Sequence, residues 1–428
     1  MAASQRLAEI FGRRRFAIRP GTERISGLLA RLDHPERAFS SIHVVGTNGK
    51  GSTASFLAAM LTAAGCRTGL FTSPHLISYH ERFQIDGALI AQDALERMLD
   101  RVLAVAAPED TFFELTTALA CCWFAENGVT VAVLEAGMGG RSDATAAVPA
   151  LCTLITPVSR DHSQWLGETT AAIAAEKAAI AEAGTPLLSA RQEPAVLAVL
   201  AEQCALRGQE LLLCGRNFDV ARRGDGSLCY RDADIRLEGL VPGLVGNYQS
   251  GNAALAIAGA RSVARQLGLP LTGEQIRRGI AAARWPGRME LIRLDGGGRL
   301  LLDGAHNPAG AVALAEALRE YQATRITLLL GLMEDKDIDG ILGALGPLAQ
   351  IIVTVEPRQE RALSAQRLAE FCEQRGIPVL VGGTVPEGVA AARARTGVGD
   401  LLVAAGSLFV VGEVKAALAG QVCEAVRG

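Results

Sequence analysis

The sequence predicts an α/β protein of two domains, a P-loop-containing parallel-sheet domain at the N-terminal side and a smaller Rossmann-like domain after it. Three observations carry that prediction. The chain has 428 residues, more than one hydrophobic core usually organises. Short apolar runs alternate with helical patterns on both sides of a break at Arg284-Trp285-Pro286-Gly287-Arg288, and such alternation marks parallel sheets covered by helices. A glycine-rich turn, Gly46-Thr47-Asn48-Gly49-Lys50-Gly51-Ser52-Thr53, separates the first strand pattern from the helix that follows it. The break divides the chain into domains of 1–284 and 285–428.

Taken in order, residues 41–45 form a β-rich run and the turn opens a helix over about 52–64. Further strands are predicted at 67–71, 129–134, 151–156 and 186–189, most of them separated by helical patterns near 91–106, 112–126 and 169–183. Residues 222–240 are polar, glycine-containing and weakly alternating, which predicts a hairpin on the sheet edge. Helices over 248–267 and 273–283 lead to the break. Beyond it, strands near 299–303, 325–330, 350–354, 378–380 and 400–404 alternate with helices near 309–320, 364–375, 385–396 and 408–418. No internal repeat is visible.

Composition excludes several function classes. Apolar residues make up 49% and charged residues 20%, with 47 glycines, as in an ordinary globular enzyme. The 42 basic residues nearly balance 45 acidic ones, for a net charge of −3. No general attraction to nucleic acid or to an anionic membrane follows, so an anionic ligand must be held locally. The nine cysteines form no CxxC pair and read as free thiols of a reducing, cytoplasmic compartment. The first twenty or so residues lack the apolar core of a secretory signal, and the longest apolar runs are too short to span a bilayer.

The chemistry-bearing residues cluster at strand ends. The turn 46–53 would aim consecutive backbone N–H groups and a helix N-terminus at a polyphosphate, with Lys50 neutralising phosphate charge; the alternative is a turn with no ligand. Its spacing is shorter than that of the common GxxxxGK[ST] loop. Glu135, directly after the apolar run 129–134, stands where parallel sheets bind ligands, and beside a phosphate loop its natural partner is Mg²⁺; otherwise it caps a turn. Asp161-His162 follows the strand 151–156 on the same edge. Lys177, in a helix of small residues, would ordinarily be a solvated surface charge. Asp303-Gly304-Ala305-His306-Asn307-Pro308 crowds polar groups into a strand-to-helix turn, which is costly unless they bind something polar or simply cap the helix.

These segments together carry a resemblance. HVVGTNGKGST, FTSPHL with Glu81-Arg82 soon after, EAGMGGRSDAT, the DH pair, EKAAI, WPGRME and DGAHNP occur in the order found in folylpolyglutamate synthases and dihydrofolate synthases, of the Mur ligase superfamily. The chain resembles that family over nearly its whole length, including RPGTERI and HPERAF before the loop. The resemblance implies an ATP-dependent, ADP-forming ligase of folate biosynthesis and one-carbon metabolism. It would join L-glutamate to dihydropteroate and to tetrahydrofolate polyglutamates through an acyl phosphate. Thr47, Asn48, Gly49, Lys50, Gly51 and Ser52 would then hold ATP, together with Asn252, Arg288 and Asp303; Ser73, Glu135 and His162 would bind Mg²⁺. Lys177 matches a lysine carried as a carbamate, and His306 would approach the acyl phosphate or glutamate. The folate is expected near Thr111, Phe112, Phe113 and Glu114 and near Ser142, Asp143 and Ala144. A cytoplasmic monomer with only small-molecule partners is implied, without nucleic acid or membrane.

Two local departures from the family pattern, Arg160 before the DH pair and Ala179 after EKA, remove no ligand. Folylpolyglutamate synthase activity alone, a peptidoglycan Mur-type amino-acid ligase, and a P-loop regulator or small-molecule kinase are the rival readings. The SPHL motif and the short stretch before residue 41 argue against the Mur-type ligase.

Overall fold

The computed structural model describes residues 3–13, 21–161, 167 and 169–424. Its largest sheet has eight strands: β1 (Ser40–Val45), β2 (Thr68–Phe71), β3 (Phe83–Ile85), β4 (Ala88–Leu89), β5 (Val131–Glu135), β6 (Cys152–Ile155), β7 (Leu187–Ser189) and β8 (Leu211–Leu213). Their order is β4-β3-β2-β5-β1-β6-β7-β8. From β2 to β8 neighbouring strands run parallel, while β3 and β4 form an antiparallel edge. Every residue of β5 and of β6 is buried, which is why these runs are mostly apolar, with Thr153 and the terminal Glu135 as exceptions, rather than alternating. Ile42, Val44, Val131 and Val133 face the helices Lys50–Ala63 and Gln249–Leu267. The alternate residues Ala132 and Leu134 face helices Gln92–Leu103 and Phe112–Glu126.

The polar stretch predicted as an edge hairpin is instead a separate antiparallel sheet of three strands, β9 (Phe218–Arg222), β10 (Leu228–Asp232) and β11 (Arg236–Leu240). Its weak alternation explains the difference. Phe218, Leu228, Tyr230, Leu237 and Leu240 all point to one side and join the core of the helix Gln249–Leu267, a covering that an edge position would not supply. Arg261 on that helix fastens the sheet through Asp232 (2.6 Å) and Asp234 (3.0 Å).

The third sheet comprises β12 (Glu290–Arg293), β13 (Arg299–Leu302), β14 (Ile326–Leu330), β15 (Ile351–Glu356), β16 (Val379–Thr384) and β17 (Leu401–Ala405), in the order β12-β13-β17-β14-β15-β16. Only β12 is antiparallel to its neighbour. Helices Pro308–Arg319, Ile338–Leu345 and Ala365–Glu373 cover one face, and Val385–Arg393 and Leu408–Ala419 the other. Among the described residues no helix is long and apolar enough to cross a membrane. All nine cysteines are free thiols, six of them buried.

Several elements go beyond the sequence prediction. Helices Ala3–Gly12, Glu23–Arg31, Pro194–Arg207 and Ile338–Leu345, and strands β3, β4, β8 and β12, have no counterpart in it. Strands of two to four residues show too little periodicity to be read from sequence. Helix Thr170–Ala178 stops well before 183, and helix Gln92–Leu103 before 106.

Candidate active site

The phosphate-type loop follows β1, whose neighbours in the sheet are β5 and β6. Gly49, the residue before helix Lys50–Ala63, has φ 89°, and a Cβ there would lie 2.4 Å from Asn252 Oδ1; only glycine meets both demands. The loop is moored on the chain leaving β6. Thr47 N and Asn48 N donate to Pro157 O at 3.0 and 3.2 Å, and Thr47 Oγ1 donates to Ser159 O at 3.1 Å. Lys50 folds its ammonium back over the loop, 3.4 Å from Gly46 O and 3.3 Å from Thr47 O. Behind the wall, buried Gln249 bridges two of the predicted residues: its Nε2 donates to Ser52 Oγ (3.2 Å) and its Oε1 accepts from Asn252 Nδ2 (2.8 Å).

Glu135 ends β5 and is 4% exposed. Its Oε2 accepts the N–H of Ser73 at 3.2 Å. Burial pushes its pKa up, against the pull of Lys50, the Ser73 bond and Arg288. Of the two readings of Lys177, a solvated surface charge and a carbamate-bearing residue, the first is not what the structure shows. Lys177 is 5% exposed and lines the same cleft. Burial first, and then the nearby Lys50 charge, lower its pKa from 10.5 to about 7, although Asp161, Asp143 and Glu176 oppose this.

The second domain closes over these groups. Asn48 and Asn307 exchange side-chain amide bonds at 3.2 and 3.1 Å. Asp161 accepts from Lys336 Nζ at 2.5 Å and lies 3.1 Å from His306 Nε2 and 3.3 Å from Asn307 Nδ2. Asp303 is occupied in shaping the entry to that domain: it accepts from Tyr248 Oη (3.1 Å), Met289 N (3.0 Å) and Ala305 N (2.9 Å).

The resulting cleft, about 1170 Å³ with its open mouth, brings together Lys50, Ser73, Glu135, Lys177, Arg288 and His306. Lys336, Asp335, Arg361 and Ser407 line it as well, and sequence reasoning missed them. Asp335-Lys336-Asp337 reads as a hydrophilic loop, and only its place after an apolar strand, β14, could have signalled a site. A contiguous cavity of about 900 Å³ shares Ser73, Glu135 and Arg288 and is walled by Trp285, Gln84 and Lys415.

Asn48, Asn252 and Asp303 stand behind the cleft wall, and His162 lies outside the described residues. None of the seven residues predicted for the folate is among those walling the cleft. Thr111 and Glu114 form a capping box, with Glu114 also paired to Arg24 at 2.9 Å. Phe112 stacks on Phe11 at 5.6 Å under the Arg82 guanidinium. Asp143 holds Met138 N (3.0 Å) and Thr145 N (3.0 Å), beside half-buried Ser142 and buried Ala144. Half-buried Phe113 supports Gly137, where a Cβ would lie 2.7 Å from its ring. Gly137 and Met138 do reach the cleft.

Among the described residues no cluster of three or more His, Cys, Asp or Glu side chains is set to hold a metal. The oxygen donors at the loop, the Glu135 carboxylate and the Ser73 hydroxyl, nevertheless suit Mg²⁺. That ion usually takes one or two protein oxygens and completes its shell with water and phosphate.

Comparison with known proteins agrees along the whole chain. It matches the family described as Mur ligase middle domain over residues 44–187 and that described as Mur ligase, glutamate ligase domain over 287–408. It is 37% identical over 425 residues to a probable bifunctional folylpolyglutamate synthase/dihydropteroate synthase of Haloferax volcanii, a match covering 95% of this chain and 49% of that protein. The chain thus spans about half the length of that relative. A dihydrofolate synthase/folylpolyglutamate synthase of Bacillus subtilis is 33% identical over 430 residues, with 95% of this chain and 96% of the relative covered. The structure of Mycobacterium tuberculosis folylpolyglutamate synthase complexed with ADP superimposes with a TM-score of 0.90 at 33% identity, covering 99% of both chains.

In buffer free of CO₂, where Lys177 carries no carbamate, its buried amine has a measurable signature. Its pKa is 10.5 in the unfolded chain and about 7 when folded, so between these values the unfolded state binds more protons and stability rises with pH. Lys177→Met removes that slope. Calorimetry from about pH 6 to about pH 10 should find the variant's advantage in melting temperature greatest below the folded pKa and shrinking as pH rises.

Proposed function

The chain belongs to the folylpolyglutamate synthase/dihydrofolate synthase family, and on that premise we propose that it is a ligase that consumes ATP. It joins L-glutamate to dihydropteroate and to tetrahydrofolate polyglutamates. The observation that carries the reading is the convergence in one cleft of Lys50 and Glu135 from the first sheet with Arg288 and His306 from the second domain. A nucleotide held on the loop would meet Lys50 and the amides of the following helix, which neutralise phosphate charge. Its γ-phosphoryl passes to the carboxylate of the pterin substrate, and the glutamate amine attacks the resulting acyl phosphate, releasing phosphate. Arg288 stabilises charge on the transferred group, and His306 stands at the acyl phosphate or glutamate. Catalysis is then positioning and electrostatics, with no side-chain nucleophile. Glu135 and Ser73, with His162, would hold Mg²⁺, which supplies charge neutralisation at the phosphates. Closure of the second domain excludes water from the acyl phosphate. The pterin lies toward Gly137 and Met138, which reach the cleft, with Phe113 behind Gly137. We assign the domains as 1–284 and 285–428 because the sheets on either side are wrapped by separate cores. The protein acts as a cytoplasmic monomer.

Lys177 serves as a carbamate in this reading. Its lowered pKa lets the ammonium lose a proton; the lone pair of the neutral amine adds to CO₂, a second proton leaves, and a cation has become an anion. With Glu135 and His162, an anion there would complete a second Mg²⁺ site.

The proposal is tested by ADP release in the presence of glutamate, comparing dihydropteroate with tetrahydrofolate. Turnover with both is expected; turnover with tetrahydrofolate alone would leave only the folylpolyglutamate synthase half. Lys50→Ala and Glu135→Ala should each lower kcat by about 10²-fold or more while the melting curve survives, and glutamate ligation at the wild-type rate by either variant refutes the site. Lys177→Ala should lose most activity and regain part of it with millimolar short carboxylic acids, which occupy the position of the lost anion. Full activity without such acids would return Lys177 to a merely buried amine.

A further inference from the structure

Leu76 belongs to the first domain by sequence and to the second by packing. It is 7% exposed and lies in the core formed by Leu300, Leu302, Val410, Val411 and Val414. The helix Leu408–Ala419 rests directly on its backbone: a Cβ on Gly412 would fall 2.1 Å from Leu76 O, so no larger residue fits without moving the helix. That helix closes at Gly420 with φ 64°, and Gln421 N turns back to Ala416 O at 2.9 Å. The chain after it runs onto the segment beginning at Leu76. Cys423 Sγ donates to Leu76 O at 3.0 Å, Glu424 N donates to Ile77 O at 2.9 Å, and Tyr79 N donates to Glu424 Oε2 at 2.6 Å. All three contacts grip main-chain atoms, so they transmit backbone position rather than side-chain identity.

The same segment is gripped from the first domain. Glu81 accepts the amides of Leu76, Ile77 and Ser78 at 2.7, 3.0 and 3.0 Å, and Arg82 Nε donates to His75 Nδ1 at 2.9 Å. Ser73, three residues before Leu76, has its own N–H on Glu135 Oε2. The linker joins at this point too: a Cβ on Gly287 would lie 2.9 Å from Val411 and 3.2 Å from Leu76. The two attachments of the second domain, linker and C-terminal segment, therefore meet on one side of the cleft. The Asn48–Asn307 and Asp161–Lys336 contacts hold the loop 46–49 and the chain after β6 to the second domain separately.

We propose that Glu424 is a positioning residue: with Leu76 as a plug, the C-terminal segment straps the second domain to loop 73–82, so that the second domain sets where Ser73 and Glu135 stand in the cleft. The inference rests on the role given above to Ser73 and Glu135, and adds a residue far from them in the chain and outside both cavities.

The test combines hydrogen exchange by mass spectrometry with steady-state kinetics on the full chain, for Glu424→Ala and Glu424→Gln. Glu424 is only half-buried, so both variants should fold. In Glu424→Ala, exchange across 73–79 is expected to quicken by about fivefold. The kcat should fall by about tenfold, with KM for ATP within about twofold of wild type, the pattern of misplaced rather than lost binding groups. Glu424→Gln keeps an acceptor oxygen for Tyr79 N and should restore both. Wild-type exchange over 73–79 in Glu424→Ala overturns the strap, as does faster exchange with an unchanged kcat. A wild-type chain without ligase activity would overturn the proposed reaction instead, and the exchange comparison alone would then decide whether the strap exists.

Discussion

The insertion of β1 between β5 and β6 in a parallel sheet is the constraint from which the site follows. Register aligns Val44 with Glu135 and Val45 with Ile155, so the three strands end at nearly one level. The chain leaving β1 becomes the glycine loop, the chain leaving β5 begins with Glu135, and the chain leaving β6 moors that loop and then presents Asp161. These strands are buried on both faces and carry mostly apolar residues, so the charged groups gather where they stop. The cleft is the necessary outlet for the polarity of this sheet.

Charge is concentrated there in a way that the balanced composition conceals. Lys50, Lys177, Arg288 and Lys336 share one cleft with Glu135 and Asp161, although the chain as a whole carries −3. Two lysines drawn together in partial burial raise each other's cost, and one of them yields: Lys177 loses proton affinity partly because Lys50 is near. Burial raises the Glu135 pKa, so that it too favours the neutral form. Cations and a carboxylate thus hold each other in a state that an arriving polyanion would change.

What could be read from the sequence was what the backbone alone dictates. Apolar runs announced β1, β5, β14 and β17, and the glycines of 46–51 announced a tight turn opening a helix. Side chains whose job depends on the fold were not legible. Gln249 looks like any polar residue at a helix start, yet it links Ser52 to Asn252. Lys336 sits in a run of charges and reads as surface, yet its side chain is only 8% exposed and grips Asp161 from another domain. The sheet β9–β11 failed for a different reason: its five inward residues are spread over strands with charged neighbours, and only helix Gln249–Leu267 shows which face is covered. The helical run around EKAA, although noted for its alanines, does not by itself distinguish a surface lysine from one that is 5% exposed.

Two of the interdomain contacts at the cleft differ in kind. Asn48 and Asn307 each give and take one amide bond, so their attraction carries no net charge and is indifferent to dissolved ions. Asp161 and Lys336 form a charge pair at 2.5 Å, both side chains 8% exposed, a burial at which counter-ions screen only weakly. The hold of the second domain over the loop therefore barely depends on ionic strength, and dissolved salt alone would not loosen it.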